Sequence, residues 1–153
     1  SRNVVWAGSY MEETRAFIHL GVDINAPVGT EVALDCAGEV IRIDSDTPEK
    51  HGWGTRIFFK LHDAPIVLLY AHLDPVLRYV VGDQVKSDSI FGTIGESSVN
   101  GYWYPHTHVQ ALTNEAYDAF LKNPGSLDGY ATSNDIAQAA RWYPDPIRYI
   151  RLT

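Results

Sequence analysis

Apolar residues at positions 18, 20, 22 and 24 alternate with His19, Gly21, Asp23 and Asn25. This period of two predicts a strand with one polar face, on which His19 and Asp23 stand. Ala26-Pro27-Val28-Gly29-Thr30 has the composition of a turn, after which Glu31-Val32-Ala33-Leu34 opens a second strand. Gly38 precedes a third strand over 39–43, and the polar run 44–54 reads as a surface loop. Residues 56–61 and 66–72 predict two further strands joined at His62-Asp63-Ala64-Pro65, the second ending on His72. Short strands follow within 82–88 and over 90–95. A loop rich in Gly and Tyr, 96–104, then delivers the chain to Pro105-His106-Thr107-His108-Val109-Gln110. In that last segment two imidazoles sit two residues apart, on the same face of a strand.

No helical period appears before residue 113, and turn signals recur about every eight to twelve residues. The prediction is therefore a mostly β fold built on antiparallel sheet. Beyond that point the pattern changes. Asn114 can cap a short helix through Leu121, stopped by Asn123-Pro124-Gly125. Ser133 or Asn134 can cap another that runs to Trp142 and ends before Pro144. Residues 1–153 read as one domain, with a core over about 15–112 and a small mixed C-terminal extension over 113–153 whose apolar content is too small for a core of its own. Trp6 and Tyr10 are expected anchors for an otherwise irregular N-terminal stretch.

The chain of 153 residues is long enough to bury a core without staples. Its 12 basic and 19 acidic residues give a net charge of -7. No cluster of Lys and Arg offers the footprint that nucleic acid requires, so nucleic acid is excluded as a partner. The longest apolar run, Ala64 to Ala71, is far too short for a transmembrane segment, and the first residues show no signal-peptide pattern. Cys36 is the sole cysteine, which rules out an intrachain disulfide and favours a small buried role.

Six histidines at 19, 51, 62, 72, 106 and 108 are the candidates for chemistry. His51 and His62 fall in predicted loops and read as solvated, whereas the other four lie in or at the ends of strands. A catalytic zinc site takes three protein ligands and keeps a fourth position open. His19, Asp23 and His108 supply that inventory, although spacing does not distinguish His108 from His106 as the ligand. On a straight strand His19 and Asp23 would stand ~13 Å apart at Cα, so a bend at Gly21 is needed to bring them to one ion. His72 and His106 remain to move protons. For His72 the competing reading is a core histidine satisfied by a backbone carbonyl. A cupin-type metal site also uses His-x-His on a strand, but it needs a carboxylate soon afterwards, and none occurs until Glu115.

Several ordered segments together carry a resemblance. His19-Leu20-Gly21-Val22-Asp23 resembles the HxGxD motif of lysostaphin-type (LytM-like) zinc metallopeptidases. Ala26-Pro27-Val28-Gly29-Thr30-Glu31-Val32, Gly38-Glu39-Val40, Tyr70-Ala71-His72-Leu73, Val81-Gly82-Asp83-Gln84-Val85 and Pro105-His106-Thr107-His108 are similar to that family's later motifs, in the same order. The likeness spans roughly residues 15–112. Thr107 and Val109 replace the family's usual Leu and Phe, and Ser87-Asp88-Ser89 stands where it commonly has glycine.

The resemblance implies an antiparallel fold of the LytM type and one zinc per chain, held by His19, Asp23 and His108. It implies His72 and His106 as the catalytic pair that activates water and steadies the tetrahedral intermediate, and peptide bonds of bacterial peptidoglycan as the substrate. It points to the cell envelope or secretion, while the residues themselves assign no compartment. Tyr102 and Tyr104 are expected to line the substrate groove. The alternative is a non-catalytic binding or regulatory module that keeps the fold and the metal.

Overall fold

The computed structural model describes residues 10–46 and 51–151. Trp6 and the Tyr10 side chain, expected as anchors, lie outside the described residues. In chain order the elements are α1 (Tyr10–Thr14), β1 (Ile18–His19), β2 (Val22–Asn25), β3 (Glu31–Leu34), β4 (Gly38–Ser45), β5 (Thr55–Leu61) and β6 (Ile66–Leu73). They continue with β7 (Gln84–Val85), β8 (Ser89–Thr93), β9 (His106–Thr113), α2 (Asn114–Lys122), β10 (Tyr130–Ala131) and α3 (Ile136–Trp142). Six strands form one antiparallel sheet in the order β2-β9-β6-β5-β4-β7, flanked by the two-stranded pairs β1-β10 and β3-β8.

β6 lies near the middle of the sheet and is buried along its whole length. Both of its faces are covered, which is why its sequence is a continuous apolar run and not an alternation. One face packs Phe59, Leu68, Tyr70, Val109 and Ala111 against Val32, Leu34 and Phe91 of the β3-β8 pair. The opposite face packs Phe58, Leu69, Ala71 and Leu112 against Ala116 and Phe120 of α2. Even-numbered residues of β9 point to the α2 side and odd-numbered ones away from it, as the strand period requires. His106, His108 and Gln110 are therefore delivered to the face that the C-terminal extension covers.

Four local expectations need correction. A short helix, α1, precedes residue 113; at five residues it is too brief to show a helical period. Residues 18–25 form two strands and not one, because the chain bends at Gly21. Thr113, not Asn114, caps α2, its side chain accepting from the Ala116 N–H. Thr132, not Ser133 or Asn134, caps the 3-10 turn that leads into α3, which begins at Ile136. In both caps a threonine one or two residues upstream offers the same hydroxyl chemistry, so composition alone does not choose between them.

The extension reaches both faces of the sheet. Phe120 and Leu127 join the α2-side core, and Ile150 joins the core on the far side. Between them β10 pairs with β1, setting Tyr130 opposite His19. Cys36 is half-buried and donates from Sγ toward the Tyr149 carbonyl.

Candidate active site

The antiparallel register of β2 on β9 places Asp23 opposite His108, and that of β6 on β9 places Ala71 on its other side. Directly opposed residues point to the same face. Asp23 therefore meets His108 side by side, and the small Ala71 leaves room for the ring. His19 arrives from β1 across the bend at Gly21, whose missing Cβ is a condition of the approach: a Cβ there would stand 2.4 Å from the Val109 carbonyl oxygen and 2.6 Å from the His108 ring.

Three ligand-type atoms converge as a result. His108 Nδ1 is 2.9 Å from Asp23 Oδ1 and 3.1 Å from His19 Nε2, and His19 Nε2 is 3.3 Å from the same oxygen. Donors ~2.1 Å from a tetrahedral ion lie ~3.4 Å apart, so this triangle has nearly the size that zinc requires. The donor set of two imidazoles and one carboxylate is also of the type that zinc accepts. Burial opposes ionisation of Asp23, but the adjoining His108 and His19 imidazoles outweigh it and hold the carboxyl well below the usual carboxylate range.

His72 and His106 flank the triangle, their ring centroids 4.5 Å apart. Each donates Nδ1–H to a backbone carbonyl, His72 to Asn100 at 2.9 Å and His106 to Tyr104 at 2.6 Å. That tautomer leaves Nε2 with its lone pair, and His106 Nε2 lies 3.8 Å from Asp23 Oδ1. The carbonyl-satisfied core histidine anticipated for His72 is thus half of its description. The other half is strain: His72 adopts φ +63°, in the left-handed region that β-type residues avoid.

Burial, then the neighbouring His106 and His108, pushes the His72 imidazole down to about 3 from its ordinary 6.5, so the ring is neutral near physiological pH. Between these two values the unfolded chain binds a proton that the folded chain refuses, and stability therefore rises with pH across that window. Asp23 acts in the same direction below its ordinary range. Urea midpoints of the metal-free protein are expected to fall steadily as pH is lowered from about 6.5 to about 3. His72→Asn, which tolerates the left-handed backbone, should flatten the upper part of that slope. An unchanged slope in the variant would show that His72 is not the group excluding the proton.

A cavity of about 210 Å³ opens over the site. Asp23, His72, His106 and His108 lie in its lining, the loop residues His51 to Trp53 and Trp103 form one side, and Leu127 to Tyr130 of the extension form the other. The Trp53 ring stacks parallel to His72 at 6.4 Å and meets His108 edge-on at 5.5 Å. The Asp46 carboxylate fixes this loop by accepting from the Trp53 and Gly54 N–H groups.

Sequence reasoning placed His51 in solvent. It is exposed, yet it borders the cavity, with its ring 5.2 Å from Trp103. His62 is exposed and bonded to Gln84, away from the cavity. Tyr102 and Tyr104 are 56% and 85% exposed and stand outside the lining, whereas Trp103 between them is part of it. Gln110, Trp53 and the segment Leu127 to Tyr130 were missed. For Gln110 the signal was present, since it is the third residue of one face after His106 and His108.

Three residues of metal-ligand type thus stand beside two further imidazoles on an antiparallel sheet. Residues 17–119 match the Peptidase family M23, and the chain belongs to that family. Among solved structures it is similar to the catalytic domain of the antimicrobial peptidase lysostaphin from Staphylococcus simulans, at 30% identity and TM-score 0.55, over 63% of this chain and 68% of that one. It spans only 37% of the lysostaphin chain studied in solution. A zinc-containing peptidase from Vibrio cholerae matches at 26% identity and TM-score 0.50, over 62% of this chain and 27% of that one. LytU shares the fold at 23% identity and TM-score 0.56, over 88% and 81% of the two chains. Among curated proteins no sequence matches. Among the described residues no helix is long and apolar enough to cross a membrane.

Proposed function

We propose that this chain is a zinc-dependent endopeptidase that hydrolyses peptide bonds of bacterial peptidoglycan, in cross-links or stem peptides. The convergence of His19, Asp23 and His108 on one point beside a cavity that Asp23 and His108 line, next to two imidazoles anchored through Nδ1, carries this reading. A zinc ion held by those three residues would supply Lewis acidity to the scissile carbonyl and acidify water. Neutral His72 can accept a proton at Nε2 from the attacking water. The proton that His72 takes up is the one it can return to the leaving amine, and His106, when a second proton occupies its Nε2, can donate a hydrogen bond from the same side of the cavity to the tetrahedral centre. The Trp53 and Trp103 rings shield the imidazoles from bulk water, which strengthens each of these interactions.

Release of new amino groups from purified peptidoglycan tests the proposal. The parent chain with one equivalent of zinc is expected to release them, while His72→Asn and His106→Ala each lose at least about a hundredfold in rate, in keeping with loss of one acid-base group. Peptidoglycan that stays uncut by the zinc-loaded parent would exclude the endopeptidase assignment. Tyr102 and Tyr104 are proposed to contact the substrate beyond the cavity rim. If Tyr102→Ala and Tyr104→Ala both leave the cleavage kinetics unchanged, that role is withdrawn.

A further inference from the structure

His108 has two nitrogens and two competing partners. Its Nδ1 faces Asp23 and His19, and its Nε2 lies 2.9 Å from Gln110 Oε1. Gln110 is completely buried, and its other amide atom lies 3.3 Å from the Asp128 carbonyl of the extension. A carbonyl only accepts, so the atom facing Asp128 is the Gln110 NH2, and the atom facing His108 is the oxygen. An oxygen only accepts as well, and His108 Nε2 must therefore carry a proton.

We infer that Gln110, turned to the right face by the Asp128 carbonyl of the C-terminal extension, is a positioning residue that holds the His108 proton on Nε2 and so keeps the Nδ1 lone pair directed at the metal site. Without it, the acceptors left to His108 among these partners, Asp23 and His19, both face Nδ1 and draw the proton there, where it blocks ligation. The extension thus has a chemical part in the site although it follows the strand that bears His108. Its backbone is held there by a further contact, the Leu20 N–H donating to the Gly129 carbonyl at 2.8 Å. The inference rests on His108 being a zinc ligand, as proposed above.

The test compares the parent with Gln110→Met and Gln110→Glu. Met preserves the volume and removes the acceptor. Glu preserves the acceptor on either oxygen, so it needs no carbonyl to orient it. Nitrogen NMR of the His108 imidazole in the metal-free protein should show a protonated Nε2 in the parent and in Gln110→Glu, with the proton moved to Nδ1 in Gln110→Met. Zinc affinity, read by competition with a chelator, should drop by about 10- to 100-fold in Gln110→Met and stay within about threefold of the parent in Gln110→Glu. A purely packing role predicts the reverse ranking, because Met fills the apolar space better than a carboxylate. Parental affinity and tautomer in Gln110→Met, or a Glu variant no better than Met, would overturn the inference. A parent without zinc affinity would instead overturn the function proposed above, while the tautomer measurement still reports on Gln110.

Discussion

His108→Ala is expected to reduce bound zinc from about one per chain to near zero and to bring peptide cleavage below detection. The substitution removes one of three converging donors, and two protein ligands are fewer than zinc sites use. It also leaves the buried Gln110 carboxamide without its imidazole partner, at a cost of ~1–3 kcal/mol, so the metal-free protein should be measurably less stable as well. Elemental analysis after dialysis, beside His51→Ala and His62→Ala prepared in the same way, checks the stoichiometry. His51 borders the cavity and His62 is bonded to Gln84 on the surface, so both variants should retain the metal. Zinc retained equally in His108→Ala would mean that the ligand set is wrong.

Gly21→Ala is the second large expected effect, and it needs no change to any functional side chain. The added Cβ meets the Val109 carbonyl oxygen at 2.4 Å and the His108 Cε1 and Nε2 atoms at 2.6 Å. A strand carbonyl cannot swing aside as the end of a flexible side chain can, so β2 must shift on β9 or the His108 ring must rotate. Either response spreads the triangle of ligand atoms. Overpacking at such a site costs ~2–3 kcal/mol, and zinc affinity should drop by at least tenfold. Gly29→Ala is the matched control. Its backbone has φ +81° but its Cβ would meet nothing within 4 Å. It should therefore cost ~1 kcal/mol through strain alone and leave zinc affinity unchanged. Urea unfolding and chelator competition on both variants separate the two effects. A Gly21→Ala protein with parental zinc affinity would show that the site tolerates displacement at this strand junction.

The residues at the site were legible to different depths. The His106 and His108 pair was evident because the strand period is local, and the third same-face residue, Gln110, was equally visible. It was passed over because a carboxamide is not an expected zinc ligand, and its importance lies in what it hydrogen-bonds. His19 and Asp23 stood in a recognisable segment, yet ~13 Å of straight strand separates such positions and only the bend at Gly21 closes the gap. The walls of the cavity were not legible. His51, Trp53 and Trp103 meet because loops 51–54 and 95–104 approach backbone to backbone, with the His51 N–H on the Gly101 carbonyl and the Trp103 indole on the Gly52 carbonyl. Contacts of that kind have no period and no composition signal.

By itself the sequence determined most of the strands of the central sheet, its apolar middle and the inventory of imidazoles and carboxylates, because these depend on the alternation of side chains along a few neighbouring residues. The tertiary structure alone decided which of those groups share a point in space. Register between β2, β9 and β6 is a choice among pairings of residues far apart in the chain, and a slip of one residue would turn His106, His108 and Gln110 to the opposite face. The same holds for the extension. Its short β10 strand carries little pattern of its own, and only its pairing with β1 brings the Asp128 carbonyl to Gln110 and Tyr130 to His19.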